Sequence, residues 1–176
     1  MRPAPPSVLV LMGVSGCGKS TTGALLAGRL GWPFRDADSF HPPQNIARMS
    51  RGTPLTDADR APWLHAIAAW IDERLAAGAQ GIVSCSALKR AYRDAILGRR
   101  AGVRLVYLKG EKEHIAERMA ARLDHFMPPA LLDSQFATLE EPAADERALV
   151  VPVSPQPGEV VAFILEELGL TDGRSG

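Results

Sequence analysis

Gly13-Val-Ser-Gly-Cys-Gly-Lys-Ser20 fits the pattern G-x-x-x-x-G-K-[ST] in full, and it lies between an apolar run and a helix-forming segment. Ser7 to Met12, just before it, is short and rich in Val and Leu, as a strand buried on both faces has to be. Ser20 to Leu30, just after it, ends at Gly31, a helix C-cap signal. Glycines are needed between the two because the backbone must curl around a phosphate with its N–H groups inward, where a Cβ would obstruct it. The helix adds its partial positive end and its unbonded N–H groups. Lys19 is placed to reach the β- and γ-phosphates of a nucleotide, and the Ser20 hydroxyl to ligate Mg²⁺. The expected ATP-binding set is Gly13, Ser15, Gly16, Cys17, Gly18, Lys19, Ser20 and Thr21. A helix N-terminus can lower the pKa of a thiol such as Cys17. The variable loop positions tolerate other residues, however, and Cys17 reads as a small spacer.

The remaining chain continues the alternation of strand and helix. Strands are expected at Pro33 to Ala37, Gly81 to Cys85, Val103 to Leu108 and Leu149 to Val153. Helices are expected at Pro62 to Ala77, Ala87 to about Leu97, Glu111 to Leu123, about Pro129 to Phe136, and Gly158 to Leu168. The polar segment Asp38 to Asp59 carries several prolines and glycines, and the helical pattern breaks again at Asp124 to Pro129. Uniformly apolar strands between helices predict an α/β three-layer sandwich around a parallel sheet of about five strands. In open sheets of that kind the ligand lies beyond the carboxyl ends of the strands. A length of 176 residues suits one domain. Residues 1–6 are expected as a short flexible N-terminus, 7–170 as a single P-loop kinase domain, and 171–176 as a flexible tail.

Charge and cysteine usage remove other classes. Lys plus Arg number 20 and Asp plus Glu number 20, so the basic surplus of a nucleic-acid binder is missing. Cys17 and Cys85 stand far apart, in no metal-site or disulfide spacing, which points to a reducing cytoplasm. No apolar stretch approaches the roughly 18–20 residues needed to cross a bilayer. The N-terminus is too proline-rich, and too short before its first apolar run, for a signal peptide.

Within P-loop proteins, a guanine-specific switch would show N-K-x-D and D-x-x-G, and neither string occurs. A conventional Walker B strand would end in an acid, whereas Gly81 to Cys85 runs into Ser-Ala-Leu-Lys. What remains is the P-loop nucleoside triphosphate hydrolase fold of the nucleoside-monophosphate and shikimate kinase type, with a helical lid at about residues 122–136. That type needs an acid after the second strand and arginines at the lid. Asp36-Ala-Asp38 supplies the first, and Arg118 and Arg122, one helical turn apart, supply the second. Lid closure keeps water from competing as phosphoryl acceptor. Asp38 is assigned to orient the acceptor hydroxyl and take its proton, and Asp36 to hold Mg²⁺ through water, although these two roles are interchangeable on sequence grounds. Lys19, Asp38 and Arg122 form the expected catalytic set, and Ser20 and Asp36 the metal set.

Further motifs accompany these. They are Asp36-Ala-Asp-Ser-Phe-His41-Pro42, Asn45-Ile-Ala-Arg-Met49, Asp59-Arg60-Ala-Pro-Trp63-Leu64, Cys85-Ser-Ala-Leu-Lys89-Arg-Ala-Tyr-Arg93-Asp94, Tyr107-Leu-Lys-Gly110, His125-Phe126 and Gln135-Phe-Ala-Thr-Leu-Glu-Glu-Pro142. In this order, across about residues 8 to 168, the chain resembles the gluconokinases of the P-loop fold, the thermoresistant gluconokinase group. The resemblance implies phosphoryl transfer from ATP to the C6 hydroxyl of D-gluconate, with Mg²⁺, in a cytoplasmic homodimer with no nucleic-acid or membrane partner. It places the substrate among Asp38, His41, Arg48, Arg60, Lys89, Arg93 and His125. Each has a plainer reading: Lys89, Arg48 and Arg93 as surface cations, Arg60 as a partner of Asp57 or Asp59, and His125 as an exposed lid residue. Trp63 and Trp70, seven apart on one helix face, read as core or subunit interface. The lid segment Leu123-Asp-His-Phe-Met-Pro-Pro lacks the lysine and glycine of the family pattern. Two alternatives remain: another small-molecule acceptor such as shikimate or a nucleoside monophosphate, and a nucleotide-binding module without turnover. A shikimate kinase would show a glycine triplet where Ser84-Cys-Ser-Ala-Leu stands. A pure binder could lose Asp38 and the lid arginines.

Overall fold

The computed structural model describes residues 4–120, 129–153 and 156–171. β1 (Val8–Met12) is buried along its whole length. Its alternating side chains feed two separate cores. Leu9 and Leu11 pack on one side with Val106, Leu108 and Ile164. Val8, Val10 and Met12 pack on the other with Ile67, Ile71 and Leu105. A strand apolar on both faces needs cover on both faces, and the helices supply it.

Around β1 stand β2 (Phe34–Asp36), β3 (Gly81–Ser84), β4 (Val103–Lys109) and β5 (Leu149–Pro152), in the order β2-β3-β1-β4-β5. Every pairing is parallel, with Val10 opposite both Val83 and Leu105. The helices are α1 (Lys19–Leu30), α2 (Pro43–Ser50), α3 (Asp57–Ala76), α4 (Arg90–Ile96), α5 (Lys112–Ala120), α6 (Pro129–Thr138) and α7 (Pro157–Leu168). The expected three-layer parallel sandwich is what the chain forms. Among the described residues, no helix is long and apolar enough to cross a membrane.

Two elements depart from the sequence expectation. The polar segment Asp38 to Asp59 contains a 3₁₀ turn (Ala37–Phe40) and the helix α2. α3 begins at Asp57, well before Pro62. Thr56 caps it, accepting from the Asp59 N–H at 3.1 Å while the Asp59 carboxylate accepts from the Thr56 N–H at 2.9 Å. Each partner satisfies a donor that the helix end leaves free. Pro62 removes one bond, to the carbonyl of exposed Ala58, where solvent can replace it.

Candidate active site

The carboxyl ends of β1, β2 and β3 open into one cleft of about 410 Å³, whose walls include Ser15, Gly16, Gly18–Thr21, Asp36–Asp38, Trp63, Ser84–Ser86 and Arg118. The phosphate loop joins its neighbour through the backbone: Cys85 N–H donates to Leu11 O at 2.9 Å, and Gly13 N–H to Ser86 O at 3.3 Å. Gly16 and Gly18 hold φ of +83° and +96°. A Cβ on Gly16 would also strike Met119 at 2.7 Å. Among the described residues the amides of Gly16, Gly18 and Ser20 donate to no backbone group, while that of Lys19 is directed at the Cys17 sulfur. Lys19 Nζ folds across the loop onto Gly13 O at 2.8 Å and Val14 O at 3.1 Å. Cys17 is buried, and that burial raises its thiol pKa against the pull of Lys19.

Arg118 reaches this loop from α5. Its Nη2 lies 3.8 Å from where a Cβ on Gly18 would stand, and its Nη1 is buried without a hydrogen-bond partner among the described residues. A buried guanidinium nitrogen left in that state costs free energy, and a phosphate oxygen is the group that fits it. Arg122 and His125, with the first part of the expected lid, lie outside the described residues.

Opposite the loop stand the two acids. Asp36 accepts from Ser20 Oγ at 3.4 Å and from the Asp38 N–H at 2.9 Å, so one carboxylate both faces the loop serine and caps the 3₁₀ turn. Asp38 lines the cleft, and its side chain has no hydrogen bond among the described residues. No group of three or more His, Cys, Asp or Glu that could hold a metal occurs among those residues. A hydroxyl and a carboxylate beside a phosphate cradle are an oxygen-only donor set, the kind Mg²⁺ takes when phosphates and water complete its shell.

Beyond Asp38 lie α2, α3 and α4, of which α3 contributes Trp63 to the cleft lining. Trp63, expected in a core or interface, packs against the core and also lines the cleft; its indole N–H donates to Ala37 O at 2.7 Å and its face stacks on His41 with centroids 4.5 Å apart. Asn45, buried, donates to Asp59 O at 2.9 Å and faces His41 Nδ1 at 3.3 Å with the same amide nitrogen. A carbonyl only accepts, so it fixes the Asn45 amide, and His41 Nδ1 must then be the unprotonated nitrogen. Burial holds the His41 pKa below 6.5, with Asp38 opposing and Arg60 assisting. A histidine of lowered pKa binds fewer protons folded than unfolded, so stability falls as pH drops through the unfolded value. Thermal melts from pH 8 to 5 should therefore show a loss on the acid side that is smaller in His41→Gln.

Arg60 follows Asp57 by about one turn of α3, and its Nη1 stands 3.6 Å from Asp57 Oδ1. Tyr92 links this group to α4, donating to Asp57 Oδ1 at 2.7 Å and accepting from Arg60 Nη1 at 3.1 Å. Lys89 Nζ stands 3.9 Å from the same carboxylate. The Tyr92 hydroxyl, then Lys89, hold the Asp57 pKa below its ordinary value. Tyr92 was not anticipated from sequence. Arg48 bonds Asp59 at 3.0 Å, away from the cleft walls. Arg93 is buried on Glu146 at 2.7 Å and donates to Ala87 O and Leu88 O, so the structure turns it inward rather than toward an acceptor.

The sequence profile described as shikimate kinase matches residues 15–155. Over the whole chain the likeness is to gluconokinases: that of Gluconobacter oxydans (strain 621H) is 47% identical over 163 residues, 93% of this chain and 89% of its own. The chain belongs to the gluconokinase family. A crystal structure of a gluconokinase from Sinorhizobium meliloti 1021 is 46% identical with a TM-score of 0.80, covering 95% of this chain and 94% of that one. An unliganded sugar kinase from Janibacter sp. HTCC2649 is 45% identical with a TM-score of 0.83, covering 94% and 96%. Gluconokinase-family membership makes this chain a kinase on the P-loop fold.

Proposed function

We propose that the chain transfers the γ-phosphoryl group of ATP to the C6 hydroxyl of D-gluconate, giving ADP and 6-phospho-D-gluconate. The observation that carries this reading is one cleft with the phosphate loop on one wall and Asp36 and Asp38 on the other. The free loop amides, Lys19 and Arg118 hold the phosphates. Ser20 and Asp36 would hold Mg²⁺, which when bound would supply neutralisation of phosphoryl charge. Asp38 orients the acceptor hydroxyl and takes its proton. His41 on its Trp63 shelf offers Nε2–H to a hydroxyl, and Arg60 with Lys89 offers the charge that a sugar-acid carboxylate requires. Charge-assisted hydrogen bonds of that kind contribute about 1.5–3 kcal/mol each. The family resemblance supports a homodimer, which light scattering tests, and a cytoplasmic setting.

A coupled assay with ATP and Mg²⁺ decides among acceptors. Turnover is expected with gluconate and not with shikimate or a nucleoside monophosphate. Turnover with shikimate alone would replace the acceptor and leave the class intact. Nucleotide binding without turnover on any acceptor would leave a binding module.

A further inference from the structure

Gln135 sits on α6, 120 positions from the phosphate loop, yet its side-chain amide makes two hydrogen bonds to one loop residue. The Ser15 N–H donates to Gln135 Oε1 at 2.7 Å, and Gln135 Nε2 donates to Ser15 Oγ at 2.8 Å. The backbone N–H can only donate, which fixes the orientation of the glutamine amide, and Nε2 then has only hydrogens to present to the hydroxyl. Ser15 Oγ therefore accepts from Gln135, and the one proton it carries must be given elsewhere. Ser15 is half-buried and lines the cleft. Because its own N–H is spent on Gln135, the loop amides left for phosphate begin at Gly16.

We propose that Gln135 is a positioning residue for the terminal phosphoryl group: by filling the acceptor side of Ser15 Oγ, it directs the Ser15 hydroxyl proton into the cleft as a donor to a nucleoside triphosphate. The proposal rests on the ATP-kinase reading above. α1 and its first amides serve the phosphates of triphosphate and diphosphate alike. Ser15 lies on the other arm of the loop, whose Gly13 N–H is tied to Ser86 O beside the acceptor acids. A group held there is the phosphate that must face the acceptor. ADP lacks it, so the Gln135–Ser15 pair strengthens binding of ATP and not of ADP.

Calorimetric titration with Mg²⁺ and either ADP or a non-hydrolysable ATP analogue tests this on the full chain. Gln135→Ala and Ser15→Ala are each expected to weaken the analogue about tenfold, or about 1.4 kcal/mol, with ADP affinity unchanged. In the double variant the two losses are expected not to add, because they remove one interaction. Gln135→Glu separates positioning from bracing. Its carboxylate still accepts from the Ser15 N–H and keeps the loop pinned, but at Oγ it takes the hydroxyl proton instead of giving one. A brace would be rescued by Glu; the proposal expects a loss larger than that of Gln135→Ala. The share due to the new charge is read from Gln135→Glu in a Ser15→Ala background, where no hydroxyl remains to redirect.

Equal weakening of ADP and the analogue in Gln135→Ala, no weakening of either, or recovery in Gln135→Glu would each overturn the proposal. If Gln135→Ala does not fold, Ser15→Ala removes a single oxygen and carries the same expectation. Failure of the wild-type chain to bind either nucleotide would refute the kinase reading, and the proposal with it.

Discussion

Asp38→Asn lowers kcat with gluconate by about 10²–10⁴-fold, the range that a positioned general base contributes, while KM for ATP stays near its original value. The substitution keeps the size and planarity of the side chain and removes its negative charge and its ability to take a proton. Asp38 suits this test because its carboxylate lines the cleft with no hydrogen bond to any described residue, so the change breaks no structural contact. Asp36 differs. It caps the 3₁₀ turn and meets Ser20 at 3.4 Å, and Asp36→Asn should disturb both the turn and the Mg²⁺ dependence. Steady-state kinetics at several Mg²⁺ concentrations distinguish the two acids, which sequence alone left interchangeable. Wild-type kcat in Asp38→Asn would remove its assigned role, and a Mg²⁺ requirement shifted by Asp38→Asn rather than Asp36→Asn would exchange the pair.

What could be read in advance was whatever is contiguous in the chain. The phosphate loop announces itself because its glycines, lysine and serine are consecutive. The sheet does so because β1, β3 and β4 are apolar on both faces. α2 stayed hidden for a physical reason: its buried residue is the polar Asn45, while Ile46 and Met49 are 51% and 44% exposed, the reverse of the pattern that reveals a helix. The start of α3 was misplaced because Pro62 imitates a first-turn proline and the capping partner of Thr56 is Asp rather than Glu or Gln. The second role of Trp63, at the cleft, was not legible because spacing along a helix says which face a residue shares, not everything that meets that face. Trp63 and Trp70 both pack against the core as their spacing suggests, Trp70 beside Gly81 and Phe40. The couplings Ser15–Gln135 and Asp57–Tyr92 join residues 120 and 35 positions apart, and neither leaves a trace in local pattern.

The sequence carries a signal for the burial of Arg93. This residue lies one helical turn before Ile96, which is fully buried, so the inward face of α4 includes it. Side-chain exposures of 2% for Arg93 and 8% for Glu146 make this a buried ion pair, closed by bonds of 2.7 and 3.2 Å. Removing one member of such a pair leaves an uncompensated charge and costs about 3–5 kcal/mol, against a total stability of about 5–15 kcal/mol. Arg93→Ala is therefore expected to lower the melting temperature sharply, and Glu146→Gln to do so less, since an amide oxygen still accepts from the guanidinium. Replacing both by apolar residues would not restore the loss. Arg93 Nη1 also holds the carbonyls of Ala87 and Leu88 at 2.9 and 3.2 Å, and Ala87 sits at φ +45°, a conformation that a residue with a Cβ adopts only under strain. Releasing that loop frees the segment that carries Ser86 and Lys89 toward the cleft, so activity falls along with stability.

Acid should act at the same place. Burial alone would raise the Glu146 pKa, but Arg93 and the Ala143 N–H together hold it below its ordinary 4.5. The stabilisation is then complete above that value and is lost as pH falls through the depressed one. A substrate-binding Arg93 predicts the opposite pattern, a raised KM for gluconate with an unchanged melting temperature, and that result would return it to the acceptor wall.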